Sequence, residues 1–400
     1  MPALAARLAD VAVSASVTMT VRARALRAAG HRVISLAIGE PDFDTPPHAV
    51  EAAHQAARAG DTHYPPQDGT PALKEAIRRK FARDNGLDYA LDEIMVANGG
   101  KQIIANAFLA TLDAGDEVVI PAPYWISYAD QAKFAGGVPR FVACPQNNGF
   151  RLRAEDLEAA ITPRTKWVVL NSPNNPSGAA LGEGELCAIA EVIRRHPDLW
   201  VLSDDIYEHL IYDGFRFVTL AQVAPDLRER VLTVNGCSKA YAMTGWRVGF
   251  CGGPRALIRA MVNVQGQLTS GVCTVAQAAA AAALDGPQEL VRQHAETYRR
   301  RRDLVVAMLN EAPGIACHRP EGAFYVYPSV AGLIGRTTPA GRRLETDLDV
   351  AMALLEEAHV AVVHGAAYGM SPYLRISYAT DEDSLREACA RIAAFCAALS

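Results

Sequence analysis

The 400-residue chain has eight cysteines but no C-x-x-C pair. Cys144, Cys187, Cys237, Cys251, Cys273, Cys317, Cys389 and Cys396 lie far apart, without histidines at ligand spacing, which excludes a zinc module and a disulfide framework. A reducing compartment fits that usage. Basic runs are also missing: 39 Lys plus Arg stand against 44 Asp plus Glu, interspersed, for a net charge of -5. Such a surface does not neutralise a row of phosphates, so no nucleic-acid partner is expected. Long apolar runs are absent too. The most apolar stretch, Val275 to Leu284, is alanine-dominated and too short to span a bilayer, and the N-terminal residues have no signal-peptide pattern. The expectation is a cytoplasmic protein with a small-molecule partner.

What is present is a core and a rhythm. Half the residues are apolar, enough for two domains at this length. Short β-branched runs at Glu117 to Ile120, Trp167 to Asn171, Trp200 to Ser203, Val231 to Val234 and Trp246 to Phe250 alternate with helical patterns. The helical patterns are Ala72 to Asn85, Gln102 to Leu112 and Gly182 to His196. This alternation predicts an α/β fold, a three-layer sandwich with a mostly parallel central sheet, plus a smaller α/β domain. The pattern changes after Pro287, where a long charged helix, Gln288 to Asn310, begins. We therefore expect a large domain over 45–295, with an N-terminal arm (1–44) and a small domain (296–400) forming the remainder. Several strands end in Gly, Asn, Asp or Ser clusters: Asn98-Gly99-Gly100, Asn171 to Gly178, Ser203 to Asp205 and Asn235 to Lys239. Ligands of open α/β sheets sit at the carboxyl ends of the strands, so these clusters should converge on one crevice.

Lys239 sits in one such cluster, with Ser238 beside it and Arg247 eight residues later. A lysine there is either a solvated surface residue or, when desolvated near another cation, an amine nucleophile able to form a Schiff base. Ser238 and the fixed fork of Arg247 suit a phosphate dianion, although Arg247 also reads as a structural salt-bridge partner. Asp204 reads either as a helix cap or as a functional carboxylate, and its neighbour Asp205 is equally able to cap.

Eight segments, in order, carry a resemblance that covers essentially the whole chain. They are Gly39 to Pro46 (GEPDFDTP), Tyr64 to Leu73 (YPPQDGTPAL), Gly99 to Gln102 (GGKQ), Pro121 to Tyr128 (PAPYWISY), Asn171 to Gly178 (NSPNNPSG), Ser203 to Leu210 (SDDIYEHL), Ser238 to Arg247 (SKAYAMTGWR) and Leu374 to Ala379 (LRISYA). The chain resembles the fold-type I, class I aminotransferases, specifically the bacterial Iβ branch of aspartate aminotransferases.

The resemblance implies pyridoxal 5'-phosphate as cofactor, carried by Lys239, with Asp204 pairing with the pyridine nitrogen. It implies that Tyr207 and Asn175 hydrogen-bond the phenolic oxygen, although Asn174-Asn175-Pro176 also reads as a plain turn. Gly100 and Lys101, opening a helix, would hold the phosphate with Ser238 and Arg247. Trp125 would stack on the ring, its alternative being a core tryptophan. Tyr64 resembles the tyrosine that reaches the neighbouring subunit's cofactor, which implies a homodimer. Arg375 would grip the substrate α-carboxylate, with Gly39 beside it in a loop able to close; an edge-strand surface arginine is the other reading. Lys101 would also meet a second carboxylate, or else point to solvent. One departure is Gly236, three residues before the lysine, where relatives carry a phosphate-touching serine.

The activity implied is ping-pong transamination between an amino acid and a 2-oxo acid, foremost L-aspartate with 2-oxoglutarate, giving oxaloacetate and L-glutamate. Prephenate, broad or aromatic aminotransferase activity and carbon–sulfur lyase chemistry are the rivals within the fold. Ala12 stands where prephenate users carry a basic residue, which argues against prephenate. DNA-binding regulators built on this fold carry an N-terminal helical module, and no such module is read here.

Overall fold

The computed structural model describes Ala5, Leu8, Val11 and residues 14–400; Ala12 lies outside the described residues. Its centre is a seven-stranded sheet of β1 (Ile94–Ala97), β2 (Glu117–Ala122), β3 (Val138–Ala143), β4 (Thr165–Asn171), β5 (Trp200–Asp204), β6 (Val231–Gly236) and β7 (Gly249–Gly252). The spatial order is β1-β7-β6-β5-β4-β2-β3. β7 runs antiparallel to both neighbours and the other pairs are parallel. The mostly parallel sheet expected from the alternation is therefore present, with one reversed strand.

The sheet strands read as continuous apolar runs because both faces are covered. Along β4, Trp167 and Val169 enter one helix-backed layer while Val168 and Leu170 enter the other. All four are at most 2% exposed, and each such aliphatic side chain contributes about 1.5–3 kcal/mol on burial. A third core gathers residues from 298–399 together with Met19, Ala23, Val33, Leu36 and Ala37, and takes in Phe150, Ala179, Tyr207, Leu210 and Tyr212 from the middle of the chain. Around it, Tyr325–Val326 and Val363–His364 flank Leu374–Ser377 as an antiparallel sheet, and Ile34–Ser35 pairs in parallel with Val360–Ala361.

Two elements differ from the sequence expectation. The predicted strand Trp246 to Phe250 starts only at Gly249, because Arg247 adopts a left-handed φ of 57° that breaks the extended run. The predicted helix Ala72 to Asn85 is an α-helix over Pro71–Lys80 that continues as a π-helix over Phe81–Asn85. A π-turn aligns residues i and i+5, so Lys80 Nζ donates to Asn85 Oδ1 at 2.6 Å.

Candidate active site

One edge of the sheet collects the polar clusters. β4 ends at Asn171, β5 at Asp204 and β6 at Gly236, three residues before Lys239; Gly99-Gly100 follows β1 and Trp125 follows β2. β7 is reversed, so its start lies at the same edge, and this places Arg247 there from before a strand rather than after one. The left-handed turn at Arg247 sends its guanidinium to Asn98 O (Nη2, 3.3 Å) and Thr244 O (Nη1, 3.0 Å). A side chain at Gly99 would collide with that guanidinium, and one at Gly249 would collide with the Gly99-Gly100 backbone. The glycines thus leave an open cradle at the start of the helix Gly100–Thr111, which has no side-chain cap among the described residues and is where a helix turns its first N–H groups towards an anion.

A cavity of about 410 Å³ opens at this edge. Gly39, Gly100, Lys101, Trp125, Asn175, Asp204, Tyr207, Ser238, Lys239, Arg247 and Arg375 all line it. The structure thus brings together eleven of the twelve residues singled out in the sequence. Tyr64 is the exception: it is 93% exposed and lies in a separate groove beside Thr269 to Val275.

Lys239 is half-buried, and its Nζ donates to Gly39 O at 2.7 Å. Burial first, then the charge of Arg375, lowers its pKa to about 8 against the opposing pull of Glu40. Asp204 is 5% exposed. Burial raises its pKa to about 6, although its carboxylate accepts from Tyr128 Oη at 2.5 Å and from Ile206 N at 3.3 Å. Arg375, 3% exposed, donates through Nη2 to Ala37 O (2.5 Å) and Ser16 Oγ (3.2 Å), and through Nη1 to Asn175 Oδ1 (3.3 Å). Its buried Nε has no hydrogen-bond partner among the described residues. Lys101 Nζ lies 5.1 Å over the Trp125 ring, and burial followed by the Arg247 charge lowers its pKa.

These features fit pyridoxal phosphate. A buried carboxylate calls for a cationic partner, which a protonated ring nitrogen supplies. The glycine cradle with Arg247 and Ser238 has the donors that a phosphate needs. Trp125 offers an aromatic face, and the unpaired Arg375 Nε offers a donor for a carboxylate.

Sequence reasoning did not single out Tyr128, Tyr325, Glu40 or Thr244 as site residues. Tyr128 lies one turn after Trp125, inside a segment already noted for its resemblance. Tyr325 has no local signal beyond being a tyrosine among apolar residues.

Residues 31–392 match the family model for class I and II aminotransferases. The chain belongs to the class I and II aminotransferase family. This aminotransferase is 56% identical over 396 residues, 99% of its length and 97% of the relative's, to the aspartate aminotransferase of Rhizobium meliloti strain 1021. It is also 56% identical over 400 residues, covering all of both chains, to the aspartate/prephenate aminotransferase of Cereibacter sphaeroides. Among solved structures, the aspartate aminotransferase from Rhizobium meliloti superposes with a TM-score of 0.97 at 55% identity over all of both chains. That of Thermus thermophilus with maleate superposes with a TM-score of 0.91 at 43% identity, over 99% of this chain and 100% of the other. The aminotransferase is pyridoxal-phosphate-dependent, like its family. Among the described residues, no helix is long and apolar enough to cross a membrane.

Proposed function

We propose that the enzyme transfers the amino group of L-aspartate to 2-oxoglutarate, with Lys239 as the residue that carries the cofactor and moves the proton. The observation that carries this reading is the single cavity in which the Lys239 amine, the buried Asp204 carboxylate and the Arg375 guanidinium meet. When bound, pyridoxal phosphate supplies an electron sink for the pair left when the substrate Cα gives up its proton.

The chain's residues prepare that step. Asp204 would keep the ring nitrogen protonated, Tyr207 and Asn175 would hold the phenolic oxygen, and Gly100 and Lys101 N–H, Ser238 Oγ and Arg247 would hold the phosphate, with Trp125 offering an aromatic face to the ring. Burial lowers the Lys239 pKa to about 8, which favours a neutral amine able to take the Cα proton and return it as an acid. Arg375 receives the α-carboxylate, and Gly39 lies beside it in the loop over the site.

Lys101 at the cavity wall supports a dicarboxylate substrate, since a second carboxylate needs a cation to meet it on desolvation. The Thermus thermophilus relative was solved with maleate, itself a dicarboxylate. Prephenate is the second reading, favoured by the name of the Cereibacter sphaeroides relative. Comparing kcat/KM for aspartate with glutamate as donor to prephenate decides between them; we expect aspartate to lead, and a larger value with prephenate would reverse the assignment.

We further propose a homodimer, because Tyr64 projects almost fully exposed from a groove where a second copy would use it. The division into 45–295 and the remainder is supported by the third core, which joins residues 19–37 to 298–399, with Phe150, Ala179, Tyr207, Leu210 and Tyr212 of the larger segment packed into it. All eight cysteines are free thiols, which supports a cytoplasmic location.

A further inference from the structure

Tyr325 is fully buried on the short strand Tyr325–Val326 and touches three functional groups from one position. Its hydroxyl lies 3.0 Å from that of Tyr207. Its ring lies 4.9 Å from the guanidinium carbon of Arg375, which packs over the aromatic face. The third contact is with Gly39, where any side chain would collide with the Tyr325 hydroxyl. Tyr325 also lines the cavity.

The hydroxyl pair has a directional consequence. Either oxygen is able to donate, but each phenol has a single hydrogen. If Tyr207 gives its hydrogen to Tyr325, it has none left for the cofactor. If Tyr207 donates to the cofactor's phenolic oxygen, the 3.0 Å contact survives only with Tyr325 donating into the Tyr207 oxygen. A phenol that accepts a hydrogen bond becomes a stronger donor through its own O–H. Arg375 favours this order: burial raises the Tyr325 phenol, to about 12, and the adjacent guanidinium opposes that rise, keeping Tyr325 a capable donor.

We propose that Tyr325 is a positioning residue for transamination: its hydroxyl donates to Tyr207 and so commits the Tyr207 hydrogen to the cofactor's phenolic oxygen, while its ring seats Arg375 for the α-carboxylate. The proposal rests on the reading of Tyr207 given above. A tyrosine serves both purposes, whereas phenylalanine would keep the seat and lose the donor, and leucine would lose both.

The test titrates the visible absorbance of the resting holoenzyme with pH, without substrate, for wild type, Tyr325→Phe, Tyr207→Phe and the double variant. Tyr325→Phe should raise the midpoint by about half a unit to one unit, the size of one lost hydrogen bond. Tyr207→Phe should raise it further, and the double variant should match Tyr207→Phe alone, because the Tyr325 effect passes through Tyr207. KM for the amino acid should change little in Tyr325→Phe and rise about tenfold or more in Tyr325→Leu, where Arg375 loses its aromatic seat. An unmoved midpoint in Tyr325→Phe, or additive shifts in the double variant, would overturn the proposal. An unmoved midpoint in Tyr207→Phe would overturn the reading of Tyr207 and the proposal with it. Thermal melting of the apoproteins shows whether the variants fold. Should Tyr325→Phe not fold, a fluorinated tyrosine at position 325, a more acidic donor, must lower the midpoint, and a rise would overturn the proposal.

Discussion

Tyr128 donates its phenolic hydrogen to the carboxylate of Asp204, joining the helix Ser127–Phe134 to the end of β5 across 76 residues of sequence. This bond and the Ile206 N–H oppose the burial that raises the Asp204 pKa to about 6. Only the ionised carboxylate pairs with a protonated ring nitrogen, so cofactor affinity should fall as pH drops through that value. In Tyr128→Phe the fall should begin at higher pH, by about half a unit to one unit. Cofactor dissociation constants of the apoprotein measured across pH 5–8 check this, and coincident profiles would mean that Tyr128 does not govern Asp204.

A buried ion pair lies next to the site in the chain. Lys80 pairs with Glu208, next in sequence to Tyr207, and both are almost wholly buried. Burial alone would raise the Glu208 carboxyl, but Lys80, His209 and the Asn85 amide outweigh it and hold it down at about 2. Lys80→Met removes the cation and strands a buried charge, so we expect a loss of about 3–5 kcal/mol at neutral pH. The sign with pH follows from linkage. In wild type, the folded pKa lies below the unfolded one, so this group's stabilisation is present above pH 4.5 and is lost as pH falls towards 2. In Lys80→Met burial acts unopposed by that cation, so mild acidification should recover part of the loss. Urea unfolding at pH 7 and pH 5 tests both statements; a variant as stable as wild type at pH 7 would contradict them.

Lys239→Ala should lower turnover by about 10²–10⁴-fold or more, since a positioned proton-transfer group contributes at least that much. Borohydride reduction of the wild-type holoenzyme followed by peptide mapping should find the cofactor on Lys239. Recovery on another lysine would end the assignment.

Lys101→Ser should separate the two duties of its position. The backbone N–H at the helix start is retained, while the ammonium over Trp125 is lost. We expect kcat/KM for aspartate to fall by about 1.5–3 kcal/mol of transition-state binding, with phenylalanine and alanine spared. An equal loss for all three substrates would assign Lys101 to the cofactor alone.

Tyr64→Phe should weaken cofactor retention without altering the melting of the apoprotein, if its hydroxyl serves a neighbouring subunit's site. Sedimentation at assay concentrations should show a dimer, and a fully active monomer would exclude the shared site.

Several positions lining the cavity were legible in the sequence because they lie in segments whose local pattern sets their own backbone, whereas Trp125, Asn175, Tyr207 and Arg375 were singled out through the family resemblance. Gly99-Gly100 opens a helix, Asp204 closes a strand, and Ser238-Lys239 follows another; alternation of apolar runs then implied the sheet that gathers these ends at one edge. Tertiary structure alone decided what each side chain meets there. The Lys239 amine rests on Gly39 O from 200 residues away, Tyr325 meets Tyr207 across 118, and Asn85 bonds Glu208 across 123. Strand order and the reversal of β7 set those meetings, and neither is written in any local pattern. The pKa values follow the same division: a side chain's type sets its ordinary value, whereas desolvation and neighbouring charge, which displace Lys239 and Asp204, exist only once distant segments enclose them.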